Sequence, residues 1–212
     1  MHSTFEEKNK IFFDRHAVRY DNALGRFFYF DHLYKRAMEI IEKYVQEKLR
    51  QRIQVADIPC GTGEMIFRLA KKHSTSQFVG VDLSKKMIEK AKQKCAEFTN
   101  TSFHIASVNA LPIETERIDL LLCMEAFHHF EDPHIALEEF RRVMKPDATL
   151  LLVDPAFNRH IWKQLARKIV RPLEFAHDYY STDELQTLLT QHKFSIESKE
   201  VYWLNSFVTA KK

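Results

Sequence analysis

Between Ile53 and Val153 five short apolar runs alternate with segments whose apolar residues recur at helical spacing. No other feature restricts the fold as much. Short runs that are mostly apolar, without strict alternation, are strands buried on both faces, as in a parallel sheet. Parallel neighbours need crossover connections, and helices at those crossovers cover the two faces. The runs are Ile53 to Ile58, Phe78 to Val81, Phe103 to Ala106, Ile118 to Met124 (apolar apart from Asp119) and Thr149 to Val153. Met65, Ile66, Leu69 and Ala70 mark one helix face; Met87, Ile88, Ala91 and Cys95 mark a second, with Ser84 as its N-cap. Asp132-Pro133 opens a third helix with Leu137, Phe140, Val143 and Met144 inward, and Pro146-Asp147 reads as the turn that follows.

Downstream, Ser181-Thr182-Asp183-Glu184 is a capping box, opening a helix with Leu185, Leu188 and Leu189 inward. Phe194 to Val201 and Ser206 to Ala210 read as a closing antiparallel hairpin, which brings the sheet to seven strands. Residues 1–50 are helical and crowded with aromatics: Phe12, Phe13, Tyr20, Phe27, Phe28, Tyr29, Phe30 and Tyr34, followed by Ala37, Ile40, Ile41, Tyr44 and Val45 at helical spacing. The expected organisation is an N-terminal helical segment over 1–50 and one α/β domain over 51–212, interrupted at about 155–180 by an insertion with a helix near 160–170. A chain of 212 residues buries enough surface to need no disulfide or metal staple.

Composition excludes several classes. At 45% hydrophobic and 29% charged residues the chain is not disordered. Its 32 basic and 29 acidic side chains leave a net charge of +3, which gives no case for a dedicated nucleic-acid binder. Cys60, Cys95 and Cys123 fit neither a disulfide framework nor a zinc spacing, so reduced thiols in the cytoplasm and no metal are expected. The polar, acidic start from Met1 to Lys8 has no apolar stretch behind it, so no signal peptide is read there, and no apolar run is long enough to span a membrane.

Glycine points to the site. There are only four, and Gly61 and Gly63 sit in Asp57-Ile58-Pro59-Cys60-Gly61-Thr62-Gly63-Glu64, which leaves a strand, turns and enters a helix. Glycine permits close backbone approach to a ligand, and a helix N-terminus offers spare N–H groups. Asp82 ends the next strand, 19 residues after Gly63, where a carboxylate can accept from both hydroxyls of a ribose. A dinucleotide site expects a third glycine where Ile66 stands, and a pyrophosphate would be repelled by Glu64. Glu64 and Asp57 suit instead a ligand bearing a sulfonium and an amino group, which favours S-adenosylmethionine over NAD.

Residues from about 53 to 154 resemble the core of class I S-adenosylmethionine-dependent methyltransferases, of the small-molecule type that includes the ubiquinone and menaquinone biosynthesis C-methyltransferases. The resemblance rests on Asp57 to Gly63, Val81-Asp82-Leu83-Ser84, Asn109-Ala110-Leu111-Pro112, Phe127-His128-His129-Phe130-Glu131-Asp132-Pro133 and Glu139 to Pro146. Phe13 to Asp21 is similar to the segment that folds over the cofactor in this group. The resemblance implies a Rossmann-like doubly wound sheet, S-adenosylmethionine as cofactor with S-adenosylhomocysteine as product, and in-line displacement at the methyl. It also implies roles. Pro59, Cys60, Gly61 and Gly63 line the methionine and ribose portion, Asp57 faces the amino end, and Asp82 holds the ribose. Leu83 and Met87 lie against the adenine, Ser107 and Val108 at its edge, and Met124 and Glu125 near the sulfonium. Three positions depart from the pattern: Pro59 stands for the first glycine and lacks an N–H, Ser107 stands for an Asp and accepts more weakly, and Asp147-Ala148 replaces a Gly-Gly turn.

Other readings remain open at this point. Cys60 reads as a small loop residue rather than a nucleophile. Of His128 and His129, one could serve as general base, with His128 preferred as nearer the strand end; otherwise one packs on the sheet and one caps a loop. Tyr20 is expected to reach the active site. The N-terminal aromatics form either an apolar lid or a face packed on the sheet. The basic amphipathic segment Ile161 to Arg171, with Ile161, Trp162, Leu165, Ile169 and Val170 as its apolar face, either packs on its own domain or touches a membrane surface or acidic partner. The expected partner is a small, hydrophobic acceptor. A tRNA-nucleoside methyltransferase, one family of which shares a His-His after the fourth strand, and a non-catalytic cofactor-binding module are the alternatives.

Overall fold

The computed structural model describes residues 4–20, 24–49, 52–158, 160–170 and 175–212; the side chains of 18–20, 24–29, 44–49 and 160–162 also lie outside the described residues. Helices α1 (Phe5–Tyr20) and α2 (Leu24–Leu49) lead into β1 (Gln54–Asp57), α3 (Glu64–Lys72), β2 (Gln77–Asp82), α4 (Lys85–Lys94) and β3 (Thr101–Ile105). Then come β4 (Ile118–Met124), a 3-10 turn at Phe127–His129, α5 (Pro133–Val143) and β5 (Met144–Pro155). The chain closes with α6 (His160–Leu165), a π-helical turn at Ala166–Val170, α7 (Thr182–Gln191), β6 (Ser195–Tyr202) and β7 (Asn205–Lys211).

The strands form one seven-stranded sheet in the order β3-β2-β1-β4-β5-β7-β6. β1 to β5 are parallel, and β7 is antiparallel to both β5 and β6. Chain order reverses between β1 and β4, so their carboxyl ends flank the crevice where ligands bind in such sheets. The strand β4 shows why its sequence reads as continuously apolar. Leu121 and Cys123 face the core shared with α5 and α7, while Leu120 and Leu122 face the core shared with α2, α3 and α4. Its single charge, Asp119, accepts from the Gln54 amide at 2.9 Å and from Lys145 Nζ at 2.8 Å.

The caps read from sequence are present. Ser84 Oγ accepts from the Met87 amide, Asp132 from the amides of His134 and Ile135, and the Ser181/Glu184 capping box closes on both sides. Two local expectations differ. β5 begins at Met144, not Thr149: Met144 pairs with Ile118, and Pro146-Asp147 forms a bulge inside the strand rather than a turn before it. Asp147 supplies the left-handed residue (φ 59°) that the bulge needs, a conformation its short polar side chain tolerates. The basic segment after β5 is also turned. Lys163 is buried against Glu184 Oε1 at 2.6 Å and Arg167 pairs with Asp178 at 2.6 Å, while Leu165 (41%) and Ile169 (59%) are exposed. Its cations hold this segment to its own domain together with Ala166 and Val170, which pack with Ala176, Tyr179 and Phe157. Ile161, Trp162 and Arg171 fall outside the described side chains. No helix among the described residues is long and apolar enough to cross a membrane.

Candidate active site

A cavity of about 1230 Å³, counted with its open mouth, lies at the carboxyl ends of β1, β2 and β4 under α1 and the start of α2. Its polar wall is built from the main chain outward. The Cys60 amide donates to Val81 O at 2.9 Å, tying the loop after β1 to the end of β2. Asp82 then accepts from the Gly61 amide at 2.9 Å through Oδ2 and from the Ser84 amide at 2.8 Å through Oδ1. The Leu83 amide also donates to this carboxylate, which leaves it acceptor capacity for a ligand. Burial pushes the Asp82 carboxyl up to about 6, partly offset by those amides and reinforced by Asp14. Asp57 is buried beside it, and desolvation together with the Asp82 charge raises it well above the carboxylate range. Two buried acids side by side suit a ligand with a cationic end and vicinal hydroxyls.

The two glycines do different things. A Cβ on Gly61 would meet nothing within 4 Å, and its φ of 51° is what the loop requires. A Cβ on Gly63 would lie 2.8 Å from Ala91 Cβ, so Gly63 lets α3 start against α4 and does not line the cavity. Glu64 is likewise off the wall. Burial alone would raise it, but Lys94 and Arg68, each 2.9 Å away, hold it below the usual range. Its charge is thus compensated, and it gives no reason to exclude a pyrophosphate; that discrimination passes to Asp57 and Asp82.

Of the expected cofactor residues, Asp57, Pro59, Cys60, Gly61, Asp82, Leu83, Met87, Val108, Met124 and Glu125 line the cavity. Ser107 does not. Its Oγ accepts from the Asn109 amide at 3.1 Å, and Asn109 takes the place on the wall, its Oδ1 buried without a hydrogen-bond partner. Burial and the nearby carboxylates raise the Cys60 thiol well above its ordinary range, so it is no ready nucleophile.

The structure separates the two histidines. His128 is not on the cavity wall: it is buried with Nδ1 2.8 Å from Asp154 Oδ1 and its ring stacked on Tyr179. His129 is on the wall. The 3-10 turn at Phe127–His129 sends the two adjacent rings to different sides, and His128 is the one turned into the core. Tyr20 ends α1, and its side chain lies outside the described residues, as do those of Phe27, Phe28 and Tyr29.

The opposite wall was not resolved residue by residue from sequence. Phe5, Asn9 and Phe13 of α1, Phe30 and Tyr34 of α2, and Phe130 after the 3-10 turn make it largely aromatic. The spacing Phe5, Asn9, Phe13 is one helical face, and it is the signal that could have picked out these side chains. Asp14 anchors α1 at the N-terminus of α4, accepting from Ser84 Oγ at 2.6 Å and from the Lys86 amide at 3.3 Å.

Residues 49–207 match the family model described as a methyltransferase domain. The chain belongs to this methyltransferase family. Its members here are of the class I, S-adenosylmethionine-dependent kind. The methyltransferase chain is 27% identical over 157 residues to the demethylmenaquinone methyltransferase of Staphylococcus aureus, covering 72% of this chain and 65% of that one. The crystal structure of the YcgJ protein of Bacillus subtilis superposes with a TM-score of 0.65 at 25% identity, covering 72% of this chain and 65% of that one. The geranyl diphosphate C-methyltransferase of Streptomyces coelicolor A3(2) shares the fold, with a TM-score of 0.74 over 100% of this chain and 99% of that one, at 11% identity. The chain spans between 37% and 65% of the length of the curated relatives it matches. The cavity residues fit the family's cofactor in kind: the cavity is lined by the paired buried acids Asp57 and Asp82 and by Asn109, whose buried Oδ1 has no hydrogen-bond partner among the described residues.

Proposed function

We propose that this protein transfers a methyl group from S-adenosylmethionine to a small acceptor with an apolar body, in the cytoplasm. One observation carries the reading: a single cavity has an acidic, main-chain-built wall facing an aromatic one. When bound, S-adenosylmethionine supplies a methyl carbon on a cationic sulfur whose bond breaks with the electron pair staying on sulfur. Asp82 accepts from the ribose hydroxyls, pre-oriented by the Gly61 and Ser84 amides. Asp57 and Glu125 offset the positive end, and Asn109 reads the base edge. Phe5, Phe13, Phe30 and Phe130 hold the acceptor and keep water out. The wall carries five acidic side chains (Glu6, Asp57, Asp82, Glu125, Glu131) against one ammonium, Lys10, which favours an acceptor without negative charge. Holding acceptor and methyl in line is where most of the acceleration arises, because the sulfonium is already activated.

Residues 1–50 act as the lid and 155–180 as the acceptor cap. The name of the S. aureus relative gives demethylmenaquinone as its substrate, an example of the acceptor class envisaged. Three buried, unpaired thiols suit a reducing compartment. The test uses methyl-labelled S-adenosylmethionine, the purified protein and a cell extract that is afterwards divided into lipid, polar, RNA and protein fractions. Label in the organic fraction that Asp82→Asn loses is the expected result. Label in RNA, or in no fraction, overturns the reading.

A further inference from the structure

We propose that His129 is the general base of the transfer, and that Phe175 positions it according to where α1 lies; this rests on the methyl-transfer reading above. His129 forms part of the cavity wall, and its Nδ1 lies 3.2 Å from the carbonyl oxygen of Phe175. A carbonyl only accepts, so Nδ1 carries the proton and Nε2 is the basic nitrogen of the ring.

Phe175 makes this contact from an uncommon backbone. Its φ is 56°, the left-handed region that a bulky L residue occupies only when its surroundings hold it there. Among the described residues its ring is held by α1: it stacks on Phe5 with centroids 5.2 Å apart and on Phe12 at 5.8 Å. The carbonyl that orients His129 thus belongs to a residue whose side chain is clamped by the lid. Helix α1 also reaches His129 directly. Asn9 Nδ2 donates to the His129 carbonyl at 3.2 Å, and the Phe13 ring meets the imidazole edge to face at 4.9 Å. Behind the imidazole, the His128 ring sits 4.0 Å away, itself held by Asp154. The other titratable groups around it are Glu6 and Lys10 of α1, Glu125 after β4 and Glu131 after its own turn, all on the cavity wall, with His177 packed on Phe5.

The step needs an acceptor with a removable proton, X–H, on oxygen, nitrogen or an acidic carbon. The X–H bond breaks, its pair stays on X and forms the bond to the methyl carbon, while the methyl–sulfur bond breaks with its pair staying on sulfur, so S-adenosylhomocysteine is the leaving group; the proton moves to Nε2, and the imidazolium later releases it to water. With α1 displaced, Phe175 loses its clamp and His129 its orientation, so base and closed lid arise together.

The experiment pairs kinetics with nitrogen-15 histidine NMR of the free protein, which reads the tautomer without any turnover. His129→Asn keeps a donor for the Phe175 carbonyl but has no basic nitrogen. It is expected to lose about 100-fold or more in kcat, with S-adenosylhomocysteine affinity within about twofold of wild type. It should also lose the rise in rate across the range where imidazolium deprotonates, and free imidazole should restore part of the activity of His129→Ala. Phe175→Ala keeps the carbonyl but frees it; kcat is expected to fall about tenfold with the KM for S-adenosylmethionine unchanged, and the His129 tautomers should mix. A kcat for His129→Asn within about threefold of wild type, or a proton found on Nε2 in the wild type, overturns the proposal. If wild type binds S-adenosylhomocysteine but transfers no label, it is the methyl-transfer reading that falls, and the base proposal with it.

Discussion

The two walls of the cavity are built by different means. The acidic wall comes from the ends of three parallel strands, and its key contacts are main-chain amides on Asp82, supplied by Gly61 and Ser84. The aromatic wall joins side chains of α1 and α2 to Phe130 and His129 far along the chain, as when Asn9 reaches the His129 carbonyl. A wall made of backbone is rigid and dictates one ligand; a wall made of side chains on a helix and a cap can be refitted to another acceptor by substitution. The lesson is that cofactor and acceptor recognition are separable here, and each half can be broken alone.

The largest effect is expected where the acidic wall is packed. Gly63→Ala adds a Cβ 2.8 Å from Ala91 at a φ of 77°, so overpacking and backbone strain act together. Urea unfolding should show a loss of about 3 kcal/mol. Gly61→Ala meets no neighbour, and only its φ of 51° counts; the same measurement should give about 1 kcal/mol. Equal losses at the two positions would mean that α3 does not rest on α4 as described.

The pH dependence comes next. Asp82 has a folded value of about 6, raised by burial from 3.8. Because the folded protein binds this proton more readily than the unfolded chain, Asp82 contributes stability that is lost as pH rises from about 4 through 6. Ligand binding runs the other way, since a ribose is best accepted by the ionised carboxylate. Titrations should show S-adenosylhomocysteine affinity falling as pH drops below about 6, by up to about tenfold per unit, with a flatter profile in Asp82→Asn. An unchanged affinity down to pH 5 would place the ribose elsewhere.

On the aromatic wall, Phe13→Ala should leave S-adenosylhomocysteine affinity within about twofold and lower label transfer about tenfold. A matching loss of cofactor affinity would show the two walls to be one. The smallest effect concerns the strap between them: Asp14→Ala removes the acceptor for Ser84 and the Lys86 amide. A melting temperature lower by about 3 °C is expected, measured by calorimetry.

The same division explains what could be read from the chain alone. β1 to β5, three helix caps and most of the acidic wall were legible because period, caps and glycine turns act over a few residues. Ser107 was misplaced because nothing in the sequence reveals that its hydroxyl closes its own turn onto Asn109. His128 was preferred over His129 for its nearness to the strand end, and its place off the cavity depends on Asp154, 26 residues away. The segment after β5 showed its apolar residues but not that Glu184 and Asp178 would draw Lys163 and Arg167 inward. The bulge at Asp147 was hidden because a strand that continues past a proline needs a partner register to be recognised.

The central claim is that the acidic wall around Asp82 is the cofactor site. Calorimetric titration of S-adenosylhomocysteine into wild type and Asp82→Asn tests it most directly. Loss of two hydrogen bonds to a charged acceptor, at about 1.5 kcal/mol each, should weaken binding by about 100-fold in the variant. Wild type and variant binding with the same affinity would contradict the account.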